Sequence, residues 1–217
     1  MISLCEVSKR YPGGYQALKS VNLTIEPGEF LFVTGHSGAG KSTLLKLIAA
    51  LELPSTGNVE INGQNPSQMR AGAVPFLRRN LGLIFQDHKL LFDRSVYDNV
   101  LLPLRICGFD HRESAKRVRA ALDKVGLLGK EKAWPVTLSG GEQQRLCVAR
   151  AIVHRPAVLI ADEPTANLDS EYAADIMDMF QSFNQVGVTV IVATHDQATL
   201  QRLTAKVVNI QHGELAV

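Results

Sequence analysis

Two glycine-rich stretches of the sequence have the residue types that bind phosphate. The first, Gly35–Ser42 (GHSGAGKS), fits the spacing G-x-x-x-x-G-K-[ST] in full. It follows an apolar run and precedes a helical pattern, which is the context that a phosphate-binding loop requires. Its N–H groups and the helix N-terminus would bind phosphate. Lys41 would reach the β- and γ-phosphates of a nucleotide, and the Ser42 hydroxyl would ligate Mg²⁺.

The second stretch, Leu138–Arg145 (LSGGEQQR), also resembles the start of a helix. Ser139 and Glu142 have the spacing of a capping box, with Ser139 as the N-cap residue. This box does not explain Gly140 and Gly141, which would each cost about 1 kcal/mol relative to alanine in a helix. Glycine at that cost indicates a close approach to the backbone, for which a second phosphate contact is the candidate.

Polar side chains also follow three other apolar runs. Asp162 and Glu163 end Val158–Glu163, where Asp162 would hold Mg²⁺ and Glu163 would orient and deprotonate an attacking water. By themselves two such acids more often form a solvated turn, and the phosphate loop favours the catalytic interpretation. His195 could stabilise a γ-phosphate or serve as a cap. Gln86 could contact Mg²⁺ or water without adding charge.

The runs that precede these residues predict the elements that position them. They lack polar alternation, as expected for parallel strands that are covered on both faces, and helical patterns lie between them. This order predicts an α/β fold with a mostly parallel sheet. The predicted strands are Phe30–Thr34, Leu81–Phe85, Ala157–Ala161 and Val188–Ala193, and the helical patterns include Leu44, Leu45, Leu47, Ile48 and Leu51, then Ile176, Met179, Phe180 and Phe183.

The remaining segments predict two additions to this sheet. Residues 2–25 have the alternation and turn residues of an antiparallel β edge. Residues 86–137 instead show helical stretches around Val96–Arg105 and His111–Val125. We therefore expect one domain over residues 2–217, with a catalytic core at about 2–85 and 139–217 and a helical subdomain at about 86–138.

Composition limits the classes of function. The chain has 217 residues, a formal net charge of +2 and 3 cysteines without a C-x-x-C pair. These values favour a globular protein of a reducing compartment and give no indication of nucleic acid as a partner. No apolar run reaches the roughly eighteen residues that span a bilayer, so a membrane role would come through a partner.

Taken together, these motifs resemble in order and spacing the nucleotide-binding subunit of ATP-binding cassette (ABC) transporters. The resemblance extends along essentially the whole chain and includes the D-loop, Asn167–Asp169. It implies a P-loop ATPase that uses ATP and Mg²⁺, and it assigns the site residues. The catalytic residues would be Glu163, His195, Lys41 and Gln86, and the metal ligands would be Ser42, Gln86 and Asp162. The nucleotide contacts would be Tyr11, Gly35, His36, Ser37, Gly38, Ala39, Gly40, Lys41, Ser42, Thr43, Ser139, Gly140, Gly141, Glu142 and Asp169, with Tyr11 stacked on adenine.

The resemblance also implies a reason for two glycine-rich stretches. In this family the signature stretch of one subunit, here Leu138–Glu142, closes over the ATP that the phosphate loop of another subunit holds. The chain has one copy of each motif. The expected functional unit is therefore a homodimer that encloses two ATP molecules.

Less universal segments, 74–79 and 84–100, resemble the branch of the family that acts in bacterial cell division. That branch implies a membrane subunit bound to the helical subdomain, a peripheral location on the cytoplasmic face of the inner membrane, and activation of cell-wall hydrolases instead of solute transport. Leu90, Leu91, Phe92 and Val96 could form the docking surface or pack inside the subdomain.

Three other interpretations use some of the same motifs. An ATPase of a lipoprotein-releasing or macrolide-export transporter would share every catalytic motif and differ only in its membrane partner. A soluble ABC ATPase that acts on DNA or ribosomes would need a coiled-coil insert or a second cassette, and neither is evident in the sequence. A P-loop kinase would leave Leu138–Glu142 and Glu163 without roles.

Overall fold

The computed structural model describes residues 1–166 and 168–216, except for the side chains at 197 and 198. In this part of the chain the strands are β1 (Ile2–Arg10), β2 (Gln16–Ile25), β3 (Phe30–Thr34), β4 (Thr56–Ile61), β5 (Leu81–Ile84), β6 (Val158–Asp162), β7 (Thr189–Ala193), β8 (Lys206–Gln211) and β9 (Glu214–Ala216). The α-helices are α1 (Lys41–Ile48), α2 (Val74–Arg78), α3 (Val96–Cys107), α4 (His111–Lys124), α5 (Gly140–Ile152), α6 (Ser170–Gln185) and α7 (Gln197–Arg202). No described helix is both long and apolar enough to cross a bilayer.

The larger sheet has six strands in the order β5-β6-β7-β3-β8-β9. The strands from β5 to β8 in this order pair in parallel, and β9 pairs antiparallel with β8. The parallel strands therefore end at one edge of the sheet. The loops after β3, β5, β6 and β7 leave from that edge, and they contain the residues that the sequence assigned to the site. The predicted α/β fold is confirmed.

The burial of the parallel strands explains their continuous apolar sequences. All five residues of β7 are buried, as are the first four of β3 and of β6. Alternate side chains enter two separate clusters, because successive residues of a strand point to opposite faces. Phe32, Leu159 and Val192 pack with the helices α3 to α6 on one face. On the other face, side chains of the same strands pack with α1 and the small sheet.

The small sheet has three strands in the order β2-β1-β4, and all pairs are antiparallel. It confirms the antiparallel edge that was predicted for residues 2–25. Strand β4 was not predicted, because its sequence (TGNVEI) has glycine and asparagine near its start and only two buried side chains. Its partner β1 provides the hydrogen bonds that make it a strand.

The segment between β5 and α5 contains α3 and α4, which confirms the two predicted helical stretches. Ser95 caps α3, where its side chain accepts a hydrogen bond from the Asp98 N–H. Asp110 caps α4 in the same way, with bonds from Arg112 and Glu113. Both helices pack on α5, and their apolar faces join the cluster on that side of the large sheet. Helix α5 therefore connects the helical segment to the sheet.

Candidate nucleotide-binding site

The loop between β3 and α1 has a conformation that only glycine permits at its start. Gly35 has a φ of 144°, and a Cβ there would lie 2.3 Å from the carbonyl oxygen of Ile210. Gly40 is the N-cap residue of α1, no side chain caps the helix, and its first turn contains no acid. The N–H groups of this turn are therefore available to an anion, as the motif predicts.

A cavity of about 390 Å³ lies above this loop and is bounded by residues that follow four strands, β3, β5, β6 and β7. The phosphate loop and α1 form one wall, Gln86 follows β5, Glu163 follows β6, and His195 follows β7. The structure thus brings the four predicted catalytic residues together. The lining residues are Tyr15, His36, Ser37, Gly38, Gly40, Lys41, Ser42, Thr43, Gln86, Glu163, Ala166 and His195.

One carboxylate oxygen of Glu163 is shared by two basic side chains. Its Oε1 lies 3.5 Å from Lys41 Nζ and 2.9 Å from His195 Nδ1. Lys41 Nζ also donates to the carbonyl oxygens of Gly35 at 2.8 Å and His36 at 3.3 Å. A γ-phosphate would compete with these groups for Lys41. The lysine could then exchange Glu163 for phosphate, which would leave the carboxylate free to accept a proton from water.

The backbone conformation of Glu163 explains why the side chains of Asp162 and Glu163, which are neighbours at the end of β6, have different surroundings. Glu163 has a φ of 49°, in the left-handed region that residues with a side chain rarely adopt. Its N–H donates to the Ala193 carbonyl oxygen at 2.9 Å, which holds this turn against β7. Glu163 therefore faces Lys41 and His195, whereas Asp162 remains on the strand beside Ser42. Strain of this kind is concentrated at functional sites.

The surroundings of Asp162 fit a divalent cation. Its Oδ1 is buried without a hydrogen-bond partner among the described residues. Burial raises the pKa of this carboxyl and the Glu163 carboxylate raises it further, whereas the Ser42 hydroxyl and Lys41 oppose the rise. A buried carboxylate oxygen beside a hydroxyl suits Mg²⁺, which binds one or two protein oxygens together with phosphates. Ser42 and Asp162 therefore fit the ion, and Gln86, which lines the same cavity as Ser42, stays a predicted ligand.

An aromatic residue that the sequence motifs do not single out also lines the cavity. The Tyr15 hydroxyl donates to the Gly38 carbonyl oxygen at 3.0 Å. Tyr11, the residue predicted to stack on adenine, is not among the lining residues, and its hydroxyl lies 3.4 Å from Thr43 Oγ1. The turn after Tyr11 places Tyr15 over the loop. A second tyrosine directly after a glycine turn was the available signal, and the adenine contact of Tyr11 stays a prediction.

The second glycine-rich stretch forms the predicted capping box. Ser139 Oγ accepts from the Glu142 N–H at 3.3 Å, and Glu142 Oε2 accepts from the Ser139 N–H at 3.0 Å. An ion pair with Lys130 and the Ser139 N–H both lower the pKa of Glu142. A Cβ at Gly140 would meet nothing within 4 Å. No contact of the described chain therefore requires glycine at this position.

The structure does not bring this second stretch to the phosphate cavity. None of the residues 138–142 is among the described residues that line it. Asp169 does not line it either, and instead caps α6 by accepting from the Tyr172 N–H at 3.0 Å. Asn167 of the predicted D-loop lies outside the described residues. Within one chain, the predicted nucleotide contacts thus fall into two separate groups.

The fold and the phosphate cavity define a class of protein. Residues 18–166 match the family model described as ABC transporter. This match covers more than half of the chain, and the chain belongs to the ABC transporter family as one of its ATPases. The predicted P-loop, ATP-binding and ATPase assignments agree with that membership.

Closely similar relatives define the branch of this family. The cell division ATP-binding protein FtsE of Escherichia coli K12 is 54% identical, over 99% of this chain and 97% of the relative. The FtsE of Bacillus subtilis is 43% identical, over 98% of this chain and 93% of the relative. The chain therefore groups with the FtsE proteins, as segments 74–79 and 84–100 indicated.

Solved structures agree with membership of the ABC family. A dimeric structure of the bacterial ABC transporter cassette MJ0796 has a TM-score of 0.94 at 34% identity, and the match covers 100% of this chain and 97% of that one. A dimeric post-hydrolysis state of the same cassette, bound to ADP and Pi, has a TM-score of 0.93 with the same coverage.

Proposed function

We propose that two copies of this chain enclose two ATP molecules and drive the membrane subunit FtsX in bacterial cell division. The observation that carries this proposal is the separation of the phosphate cavity from the exposed N-terminus of α5 within one chain. A symmetric dimer would bring the two together. In a two-fold contact, the α5 N-terminus of each chain would lie over the phosphate cavity of the other chain.

The contacts at the α5 N-terminus support this arrangement. Ser139 and Gly140 are exposed, and the space where a Cβ of Gly140 would lie is open. A helix N-terminus attracts anions through its unpaired N–H groups. The dimeric state of the similar cassette MJ0796 supports the same assembly. ATP would shift the population toward the closed dimer because only that dimer contacts it from both sides.

The residues of the cavity divide the chemistry between them. Mg²⁺ held by Ser42, Gln86 and Asp162 would neutralise charge on the phosphates. Lys41 would leave Glu163 to bind the γ-phosphate, and Glu163 would accept the proton of the attacking water. His195, which lies 2.9 Å from the same carboxylate oxygen, would orient Glu163 and contact the γ-phosphate.

We assign the docking of the membrane subunit to the helical subdomain, residues 86–138, and the adjoining groove. Leu90 and Val96 are 7% and 0% exposed, so these two pack inside the subdomain. A groove of about 350 Å³ opens instead between α2, β5, α3 and α5, lined in part by Phe85, Lys89, Leu102, Pro103 and Ile106. Phe85, which lines this groove, directly precedes Gln86, which lines the nucleotide cavity. A displacement at the groove would therefore be transmitted to the cavity over one peptide bond.

This proposal places the chain on the cytoplasmic face of the inner membrane through its partner. The change of conformation that ATP drives would pass through FtsX to cell-wall hydrolases in the periplasm. The FtsE relatives are named as cell division ATP-binding proteins, which supports the role in cell division. A lipoprotein-releasing or macrolide-export membrane subunit would use the same cavity and the same groove, so the experiment must distinguish the partners.

The test combines a hydrolysis-blocking variant with a groove variant. Glu163→Gln with ATP should form a dimer in light scattering and should capture FtsX from detergent-solubilised membranes. Ile106→Glu in that background should lose FtsX and keep the dimer, because Ile106 is 55% exposed in the groove. Val186→Glu is the matched control at an exposed valine outside the groove.

Each outcome separates one part of the proposal. A strict monomer of Glu163→Gln in ATP would contradict the sandwich. A dimer that captures another ABC membrane subunit in place of FtsX would contradict the cell-division assignment. Equal loss of FtsX in both surface variants would show that docking uses a different surface.

A further inference from the structure

Arg150 connects α5 to the segment that follows Gln86. Its guanidinium donates from Nη1 to the Lys89 carbonyl oxygen at 2.6 Å, and from Nη2 to the His88 carbonyl oxygen. Cys147, one helical turn earlier, also donates from Sγ to the His88 carbonyl oxygen, at 3.4 Å. Two side chains of the helix that begins with the signature stretch therefore bind backbone oxygens just beyond the nucleotide cavity.

The surroundings of Arg150 are unusual for a structural arginine. Burial lowers the pKa of its guanidinium, and no carboxylate of the described residues lies within ion-pair distance. Arg150 is half-buried, and withdrawing a cation even partly from water without a counter-ion is costly. The backbone partners of the Arg150 guanidinium are the carbonyl oxygens of His88 and Lys89. The guanidinium fork suits them because it donates in two fixed directions.

The segment that Arg150 binds is conformationally strained. His88 and Lys89 have φ angles of 58° and 48°, so two consecutive residues with side chains adopt the left-handed conformation. Each costs on the order of 1 kcal/mol and persists only where surrounding groups fix it. The fully buried Asn99 of α3 binds the Leu91 N–H and carbonyl oxygen, each at 2.9 Å. Residues 88–91 are thus held by α5 and α3 together.

The same helix can carry a displacement over a long distance. Arg150 lies ten residues after Gly140, which corresponds to about 15 Å along the helix axis at 1.5 Å per residue. Most of α5 between these positions is buried, including Leu146, Cys147 and Val148. Close-packed side chains are hardly compressible and transmit strain. A shift of the segment after Gln86 would therefore reach Ser139 at the far end.

We propose that Arg150 is a positioning residue that makes residues 86–91 and α5 move as one unit. Gln86 lines the nucleotide cavity, so occupancy of that cavity would set the orientation in which Ser139 and Gly140 meet the partner copy. The inference rests on the proposed ATP sandwich. What it adds is the assignment of Arg150 as the side chain that joins residues 86–91 to α5.

The experiment uses the full chain with Arg150→Met, Arg150→Lys and a surface control, Arg112→Met. Arg112 is exposed on α4, and only its backbone N–H takes part in the helix cap. Three quantities are measured: the affinity of the monomer for ATP, the kcat of hydrolysis, and ATP-driven dimerisation in the Glu163→Gln background. The unfolding transition of each variant is recorded alongside.

Arg150→Met should bind ATP within about twofold of the unmodified chain, because Arg150 does not line the cavity. Its kcat should fall roughly tenfold or more, and dimerisation should weaken in proportion, as expected for loss of charged hydrogen bonds. Arg150→Lys should be intermediate, since an ammonium group lacks the planar fork. Arg112→Met should match the unmodified chain.

Unchanged kcat and dimerisation in Arg150→Met would overturn the inference. A loss of ATP affinity equal to the loss of kcat would also overturn it, because that result indicates a distorted cavity. If Arg150→Met does not fold, Arg150→Lys replaces it in the test. A lower kcat with unchanged ATP affinity would support the inference, and an equal loss of both would overturn it. A chain that fails to dimerise with ATP before Arg150 is changed would instead refute the sandwich itself.

Discussion

At the scale of single residues, Asp162 is a carboxyl whose ionisation is opposed on balance by its surroundings. Its buried Oδ1 has no hydrogen-bond partner among the described residues, and burial raises the pKa of the carboxyl. A carboxyl with a raised pKa stabilises the fold at low pH, and this contribution is lost as the pH rises through the folded-state pKa. At neutral pH the carboxylate therefore opposes folding until a cation binds.

We predict that Asp162→Asn raises the free energy of unfolding by about 1 kcal/mol at pH 7.5 in EDTA, the order of a buried polar group relieved of its charge. The same change should remove the extra stability that Mg²⁺ adds in the presence of ATP. Urea unfolding with and without Mg²⁺·ATP measures both effects. Asp123→Asn, at an exposed acid of α4, is the control. A less stable Asp162→Asn protein in EDTA would contradict the argument.

His154 gives a second prediction at this scale. Burial lowers the pKa of its imidazole, against a weaker opposing effect of the Leu81 carbonyl oxygen, and its Nδ1 is buried without a hydrogen-bond partner among the described residues. A lowered pKa stabilises the fold above the unfolded-state pKa, about 6.5, and this stability is lost as the pH falls. His154→Gln should therefore flatten the decline in stability between pH 7 and 5, by at most about 1.4 kcal/mol per pH unit. An unchanged slope would show that His154 does not titrate on unfolding.

At the scale of elements, two helices begin with glycine for different reasons. Gly40 caps α1 with a φ of 116°, and a Cβ there would lie 2.6 Å from the Ala17 carbonyl oxygen. The fold alone therefore requires glycine at this position. Gly140 begins α5 in an ordinary helical conformation with open space around it. Only a second molecule gives a reason for the absence of a side chain there.

We predict that Gly140→Ala stabilises the isolated chain by up to about 1 kcal/mol, since alanine is the better helix former. The same change should lower the kcat of hydrolysis, because the added methyl group lies where the partner's ATP approaches. Thermal unfolding and steady-state hydrolysis measure the two effects. Gly72→Ala, at an exposed turn with equally open space, should leave kcat unchanged. Normal hydrolysis by Gly140→Ala would remove the evidence for a close approach.

The elements also show which features the sequence could predict. The buried strands and the capping box depend on residues near one another in the chain, and the sequence alone predicted them. Strand β4 was missed because its pairing with β1 spans about fifty residues. Tyr15 was missed although the glycine turn before it is visible in the sequence, because its contact with Gly38 spans 23 residues. Apolar side chains such as Leu90 and Phe92 look alike in sequence, although one is buried and one is exposed.

At the scale of the whole molecule, the phosphate loop and the α5 N-terminus lie apart in one chain. We therefore expect two differently inactivated chains to restore activity when they are mixed. Lys41→Ala should disable the phosphate loop, and Ser139→Arg should disable the α5 N-terminus. In the proposed dimer each site combines the loop of one chain with the α5 N-terminus of the other. A mixed dimer of the two variants therefore contains one intact site, formed by the loop of the Ser139→Arg chain and the α5 N-terminus of the Lys41→Ala chain.

We predict that each variant alone lacks hydrolysis and that an equal mixture recovers up to about a quarter of the normal rate per chain. Random pairing makes half of the dimers mixed, and each mixed dimer has one intact site of two. A coupled phosphate-release assay measures the recovery, and it should disappear when both substitutions are in one chain that is mixed with Lys41→Ala. Activity of Ser139→Arg alone, or no recovery in a mixture that forms dimers with ATP, would show that each chain completes its own site.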